Sequence, residues 1–285
     1  MTYNHAKKNP LWFAAGITAL FIGLALLVGM LFSPLANLAD GGLLYYAVRF
    51  VKRLLLVTAF CLITWKTGLQ PPLFRVRFDG VLVAACVSLV VINLSVPHLF
   101  DARSWLFPSQ NPLTTFAVGI DCAMTSILEE LVFRGVVFGA LLKGWEQKRY
   151  GRLGAVVVSS ALFGLVHLIN LVGNPAAVFE VLEQVGYSTL IGILLAAAVL
   201  RTGGLVFSVA VHALFNFVYD YAELLPFSPN AVWVGGAAET VVIIVAYLCL
   251  AATGIAAVVR AVRAPHPLPH PPRAQGCINP ANFCG

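Results

Sequence analysis

The sequence predicts an all-α fold, a polytopic transmembrane helical bundle of about eight spans, and three observations carry that prediction. Hydrophobic residues make up 60% of the 285-residue chain and charged residues only 11%, against roughly 25% charged in ordinary soluble domains. Apolar stretches recur along the chain at about 20 residues, the length a helix needs to cross hydrocarbon. These stretches are apolar on all sides, as helical spans are, whereas the strands of a membrane barrel would run for about ten residues with alternating polarity.

Taken in order, the predicted spans are 11–33, 43–65, 80–100, 113–142, 153–174, 185–200, 203–219 and 232–259. The first is too long for a removable signal peptide and lacks a small-residue cleavage site, so it reads as a retained anchor. The second is interrupted by Arg49, Lys52 and Arg53. These either snorkel from a tilted or interfacial start or attract an acidic part of a substrate, and the sequence leaves both open. The fourth carries Asp121, Glu129, Glu130 and Arg134, the fifth Ser159, Ser160, His167 and Asn170, and the seventh His212 and Asn216. The eighth has Glu239 near its outer end. Residues 1–264 are expected to form a single integral-membrane domain. Residues 265–285, with Pro265, Pro267, Pro269, Pro271 and Pro272, are expected to form a disordered cytoplasmic tail.

Orientation follows from Lys and Arg in the short loops. With the N-terminus inside, Lys7, Lys8, Lys66, Arg75, Arg77, Lys143, Lys148, Arg149, Arg152, Arg201, Arg260, Arg263 and Arg273 fall on the cytoplasmic side, and the outer loops hold Arg103 alone. Both termini are then cytoplasmic. The net charge of +6 is a positive-inside signature, and nucleic-acid binding is not needed to explain it. The outer loops carry Asp40, Asp101, Glu180, Glu183, Asp220 and Glu223, which fits but weighs little. Cys61, Cys86, Cys122, Cys249, Cys277 and Cys284 show no CxxC spacing, which argues against a disulfide framework or a zinc ribbon.

Ionisable groups in hydrocarbon cost about 2.5 to 3.5 kcal/mol each on insertion scales, so they usually face a bundle interior and mark function. Glu130 and Arg134 are an i,i+4 pair that can neutralise each other. Glu129 points about 100° away with no partner on its own helix, and a carboxylate so placed is suited to take a proton as a general base. His212 and Asn216 share one helical face by the same i,i+4 spacing. At about 1.5 Å per residue, Glu129 and His167 each lie roughly 20 Å from the cytoplasmic ends of their antiparallel helices, and His212 roughly 14 Å. The groups are therefore expected to meet inside the membrane. Each histidine or amide alone also serves as interhelical glue, and the Glu130–Arg134 pair alone also serves structure. The set of two carboxylates, two histidines and an amide at matching depth points to chemistry. Asp121 and Glu239 are read as packing or interface residues.

EExxxR at 129–134, FxxxH at 163–167 and HxxxN at 212–216, in that order on separate spans, resemble the three motifs of the CPBP (CaaX protease and bacteriocin-processing, also called Abi) intramembrane endopeptidases. The eukaryotic type II CaaX prenyl protease belongs to the same superfamily. The resemblance covers about residues 113–219. It implies a glutamic-type membrane endopeptidase in which Glu129 with His167 activates water, His212 with Asn216 stabilises the oxyanion, and Glu130 and Arg134 support the site. Such chemistry needs a base, donors aimed at the developing oxyanion and an acid for the leaving amine. Glu, His and His are also possible zinc ligands, but HExxH is missing and no metal or other cofactor is expected.

The partners expected are a membrane-associated protein or peptide substrate and the lipid bilayer. The location expected is a prokaryotic cytoplasmic membrane. Prenylated CaaX proteins, bacteriocin leaders and C-terminal sorting signals are the substrate kinds the resemblance implies, and nothing in spans one to three selects among them. Two other classes compete. A transporter or channel would use the polar cluster as a proton or ion relay and would show an inverted repeat or broken helices; the sequence has no convincing repeat. A degenerate scaffold or immunity protein would have lost a motif residue, and none is lost.

Overall fold

The computed structural model describes residues 8–37, 42–67, 79–93, 112–224 and 237–263. Helix α1 spans Pro10–Asn37, α2 Leu43–Thr67 and α3 Gly80–Asn93. Helix α4 is one rod that runs from Pro112–Glu130 through a π-helical stretch, Leu131–Val137, into Phe138–Trp145. Helix α5, Gly151–Leu165, tightens into a 3₁₀ turn at Val166–Ile169 and closes with a last helical turn at Asn170–Gly173. Helices α6, α7 and α8 span Val178–Thr202, Val206–Leu224 and Ala237–Arg263.

The fold is all-α, and these helices coincide with the apolar stretches of the sequence. Among the described residues, Pro10–Leu35, Gly151–Gly173 and Val178–Thr202 are long and apolar enough to cross a membrane, and Gly80–Leu89 and Val206–Asp220 are shorter apolar helices. Helices α2 and α4 carry the interior charges, which lower their hydropathy. Helix α6 starts earlier than the apolar run, at Val178, because Glu180 lies in its first turn, where an acid complements the helix dipole. Large apolar side chains such as Trp12, Met30, Leu31, Phe179 and Leu248 face outward. A water-soluble surface rarely carries so much contiguous apolar area, whereas lipid accepts it. The Pro-rich tail 265–285, Asp40, Asp101 and Arg103 lie outside the described residues, as do the side chains of Glu223 and Glu239.

Lipid tails are as apolar as leucine, so membrane helices associate through close packing at small residues. Helices α5 and α6 do so: a Cβ on Gly164 would stand 2.6 Å from the Val185 carbonyl oxygen, and one on Gly192 would stand 3.0 Å from Ser160 Cβ. Around this pair, Phe21 meets Phe60 and Phe133 edge-on at 5.8 Å, and Phe133 meets Phe163 at 5.2 Å. The chain turns from α6 to α7 at Gly203, whose φ of 74° is left-handed and whose N–H donates to the Val199 carbonyl at 2.9 Å. Asp79 caps α3 by accepting the Val81 and Leu82 amides at 3.1 and 3.2 Å, and its other oxygen accepts Arg201 Nε at 2.7 Å. That carboxylate ties the start of α3 to the end of α6. Burial pushes the Asp79 carboxyl up, but the Arg201 and amide hydrogen bonds outweigh it and hold the group below the usual carboxylate range.

Candidate active site

Glu129 and Glu130 are the last residues of α4 before its π-helical stretch, a distortion often found at functional sites. The widened turn shows in the Phe138 amide, which donates to the Phe133 carbonyl five residues back, and all seven residues of the stretch are buried. Glu130 is wholly buried, and Arg134 Nη1 lies 3.1 Å from its Oε1. The guanidinium is 1% exposed and rests over the Phe163 ring at 4.3 Å from the centroid, so aromatic and carboxylate share the burden of a buried cation. Close approach is possible because Gly192 lacks a side chain: a Cβ there would stand 3.2 Å from Arg134 Nη2.

His212 on α7 bridges the two carboxylates. Its Nδ1 donates to Glu130 Oε1 at 3.1 Å, and its Nε2 lies 3.5 Å from Glu129 Oε2. Glu129 therefore has a partner, supplied by α7. Asn216, one turn further along, donates from Nδ2 to Ser126 Oγ of α4 at 3.3 Å. On α5, His167 sits in the 3₁₀ turn with Nδ1 donating to the Phe163 carbonyl at 3.0 Å. That bond fixes the tautomer and leaves Nε2 of the neutral ring as the acceptor. Phe163 meets both imidazoles edge-on, at 5.3 Å for His167 and 5.7 Å for His212. One ring thus orients two histidines and covers one arginine.

Glu129, His167, His212 and Asn216 all line one cavity of about 1270 Å³, larger than the 300 to 1,000 Å³ typical of small-molecule pockets and roomy enough for a peptide segment. Glu130 and Arg134 do not line it. The Glu129 side chain is 16% exposed and that of Glu130 0%, so only the first can meet a water or substrate. The chemistry on offer is a carboxylate and two imidazoles beside an amide donor. Glu129, His167 and His212 are the residues that would hold a zinc ion. Among the described residues, however, no three His, Cys, Asp or Glu side chains are grouped as a metal-holding set, so the donors as placed do not fit zinc.

The structure brings Glu129, Glu130, Arg134 and His212 into direct contact, and sets Asn216 and His167 on the same cavity wall. Sequence reasoning missed Ser126, the partner of Asn216, because a serine in an apolar helix carries little signal. It also left Asp121 outside the site. Asp121 Oδ2 lies 2.9 Å from Arg49 Nη2, its Oδ1 accepts Arg53 Nη1, and all three line the cavity. Those two arginines need a carboxylate in an apolar setting, and that requirement was the available signal. Asp220, which lines the same cavity, accepts the Cys122 thiol at 3.2 Å.

No curated protein and no solved structure matches the chain. Residues 111–218 match the family model described as type II CAAX prenyl endopeptidase, Rce1-like; the match includes Glu129, Glu130, Arg134, His167, His212 and Asn216 and leaves α1, α2, α3 and α8 outside. With its outward-facing apolar helices, the chain is an integral membrane protein whose residues 111–218 are similar to the Rce1-like type II CAAX prenyl endopeptidases.

Proposed function

We propose that this protein is an intramembrane endopeptidase that hydrolyses a peptide bond of a membrane-associated protein or peptide without a metal. The observation that carries the reading is the contact of Glu129 and Glu130 with His212, across α4 and α7, at the wall of a cavity that His167 and Asn216 also line. Glu129, the exposed carboxylate, takes a proton from the attacking water. His167, whose Nδ1 is occupied by the Phe163 carbonyl, offers the Nε2 lone pair that holds the water in place. As the water oxygen bonds to the carbonyl carbon, negative charge develops on the carbonyl oxygen. The Asn216 amide and a protonated His212 Nε2 donate to it, and such donors are worth about 2.7 to 4 kcal/mol each in dry sites. The proton held by Glu129 then passes to the leaving amine as the C–N bond breaks.

Glu130 accepts from His212 and is neutralised by Arg134, so it orients the imidazole without touching substrate. The family match supports the protease reading; the arrangement proposed is a single domain over 1–264 that crosses the membrane about eight times, with both termini cytoplasmic by the positive-inside rule. A prokaryotic cytoplasmic membrane is the location proposed. The test compares C-terminal proteomes of cells carrying the native chain with cells carrying Glu129→Gln or His167→Ala. New protein C-termini that vanish in both variants, with equal folded protein in the membrane, are the expected result. Identical termini in all three strains would refute the reading.

A further inference from the structure

The bundle is closed on one side of Glu129 and polar on the other. Toward the turn between α4 and α5, Val137, Leu141, Val199 and Leu205 pack beyond Glu130 and His212 as part of one apolar core, none more than 7% exposed. The hydroxyls at that level are spent on their own backbone: Ser208 Oγ donates to the Leu205 carbonyl and Thr202 Oγ1 to the Ala198 carbonyl, both at 2.9 Å. Such packing gives water and peptide no polar path. The α8 side of the cavity, with Leu250, Ile255 and Val259, is apolar as well. Toward the turn between α5 and α6 the lining changes. Thr125 lies one turn from Glu129 on α4, and Asn216 and Asp220 lie about one and two turns from His212 on α7. Gln184 and Tyr187, in the first three turns of α6, continue the polar wall, and Glu183 and Asn170, which also line it, are exposed.

The closed end carries the charges that report orientation. Lys143, Lys148, Arg149 and Arg152 cluster at the α4–α5 turn, and such a cluster in a short loop favours the cytoplasm. From this asymmetry we infer that the cavity is entered from the non-cytoplasmic face of the membrane, so that the substrate is a membrane-tethered polypeptide whose cleaved segment has already been exported. A chain confined to the cytoplasm meets the packed end, whatever anchors it. The polar wall also suits a peptide, because each backbone amide that enters a membrane cavity needs a hydrogen-bond partner there. Side chains on α4, α6 and α7 supply such partners from Glu183 inward to Glu129. The substrate class rests on the proteolytic reading, whereas the entrance stands on packing and charge alone.

The test places single cysteines in the full chain, Thr125→Cys inside the cavity, Glu183→Cys on its polar wall near the α5–α6 turn and Arg149→Cys at the α4–α5 turn. Right-side-out and inside-out vesicles are treated with a membrane-impermeant trimethylammonium thiosulfonate, and each modified peptide is read by mass spectrometry. Thr125→Cys and Glu183→Cys should react about a hundredfold faster in right-side-out vesicles, the factor that carrying a fixed charge through hydrocarbon imposes, and Arg149→Cys faster in inside-out ones. Thr125→Cys that reacts faster in inside-out vesicles, equally in both or in neither would overturn the entrance. In spheroplasts, new C-termini that depend on Glu129 should fall in segments digested by protease added outside. Glu129-dependent termini in cytoplasmic segments would overturn the substrate class and leave the proteolytic reading standing. No Glu129-dependent termini at all would overturn the proteolytic reading and the substrate class with it, while the labelling still decides the entrance.

Discussion

Glu129 and Glu130 are neighbours in sequence with opposite environments, and the difference assigns their work. Glu130 is sealed between Arg134 and His212, while Glu129 meets the cavity with His212 Nε2 3.5 Å away. Glu129→Gln keeps the shape and removes the base, so kcat should fall by about 10²- to 10⁴-fold with the thermal transition in detergent unmoved; activity within a few fold of native would remove Glu129 from the mechanism. Arg134→Met acts differently. It leaves the Glu130 carboxylate buried with its main counter-charge gone, and breaking such a pair costs about 3 to 5 kcal/mol. The detergent-solubilised variant should melt well below the native protein, and an unchanged melting temperature would show the pair to be dispensable. The residue scale was largely legible in the sequence, because charge inside an apolar run is conspicuous. Less legible were the contact of Phe163 with both histidines, which its place in the FxxxH motif does not state, Ser126, since a serine in an apolar helix carries little signal, and Asp121, read as a packing residue.

At the scale of helices, the site depends on how closely α5 and α6 approach. A Cβ on Gly192 would stand 3.2 Å from Arg134 Nη2 and 3.0 Å from Ser160 Cβ, so Gly192→Ala pushes at the guanidinium as well as at α5. Overpacking of this kind costs about 1 to 3 kcal/mol, and both melting temperature and kcat should fall; a fully active, equally stable Gly192→Ala would contradict the packing described. The Asp79–Arg201 tie gives a pH signature. The folded Asp79 carboxyl titrates below its unfolded value of about 3.9, so its contribution is complete above that value and is lost as pH falls through the folded pKa. Asp79→Asn should remove that part of the acid-side loss of stability, read as melting temperature against pH from 5 downward. Element boundaries were legible between α6 and α7, where the runs 185–200 and 203–219 part within a few residues of the turn at Gly203, and less so at Val178, where acidic residues extend α6 beyond the hydrophobic stretch. The π-helical stretch and the 3₁₀ turn under His167 were not legible, since backbone distortions of one turn leave no periodic trace.

For the whole molecule, the all-α bundle followed directly from hydropathy, whereas the cavity did not, because side chains from all of α1 to α8 line it and it forms only when those helices converge. Arg49 and Arg53 show the difference: in sequence they broke a span, and in the fold they close around Asp121 on the cavity wall. Lys143, Lys148, Arg149 and Arg152 lie at the turn between α4 and α5, and the topology proposed from the positive-inside rule has that turn in the cytoplasm. Reporter fusions there should read as cytoplasmic, and a reporter in the α5–α6 turn near Asn174 should read as external; the reverse pattern would invert the topology. The central claim is hydrolysis by a carboxylate without a metal. It is tested most directly by letting the purified, exhaustively chelated protein cut a membrane-associated peptide in ¹⁸O-water. The account predicts one ¹⁸O in the new carboxyl group with native protein and no cleavage with Glu129→Gln. Cleavage that survives in Glu129→Gln, or that returns to the chelated native protein only with stoichiometric zinc, would contradict it.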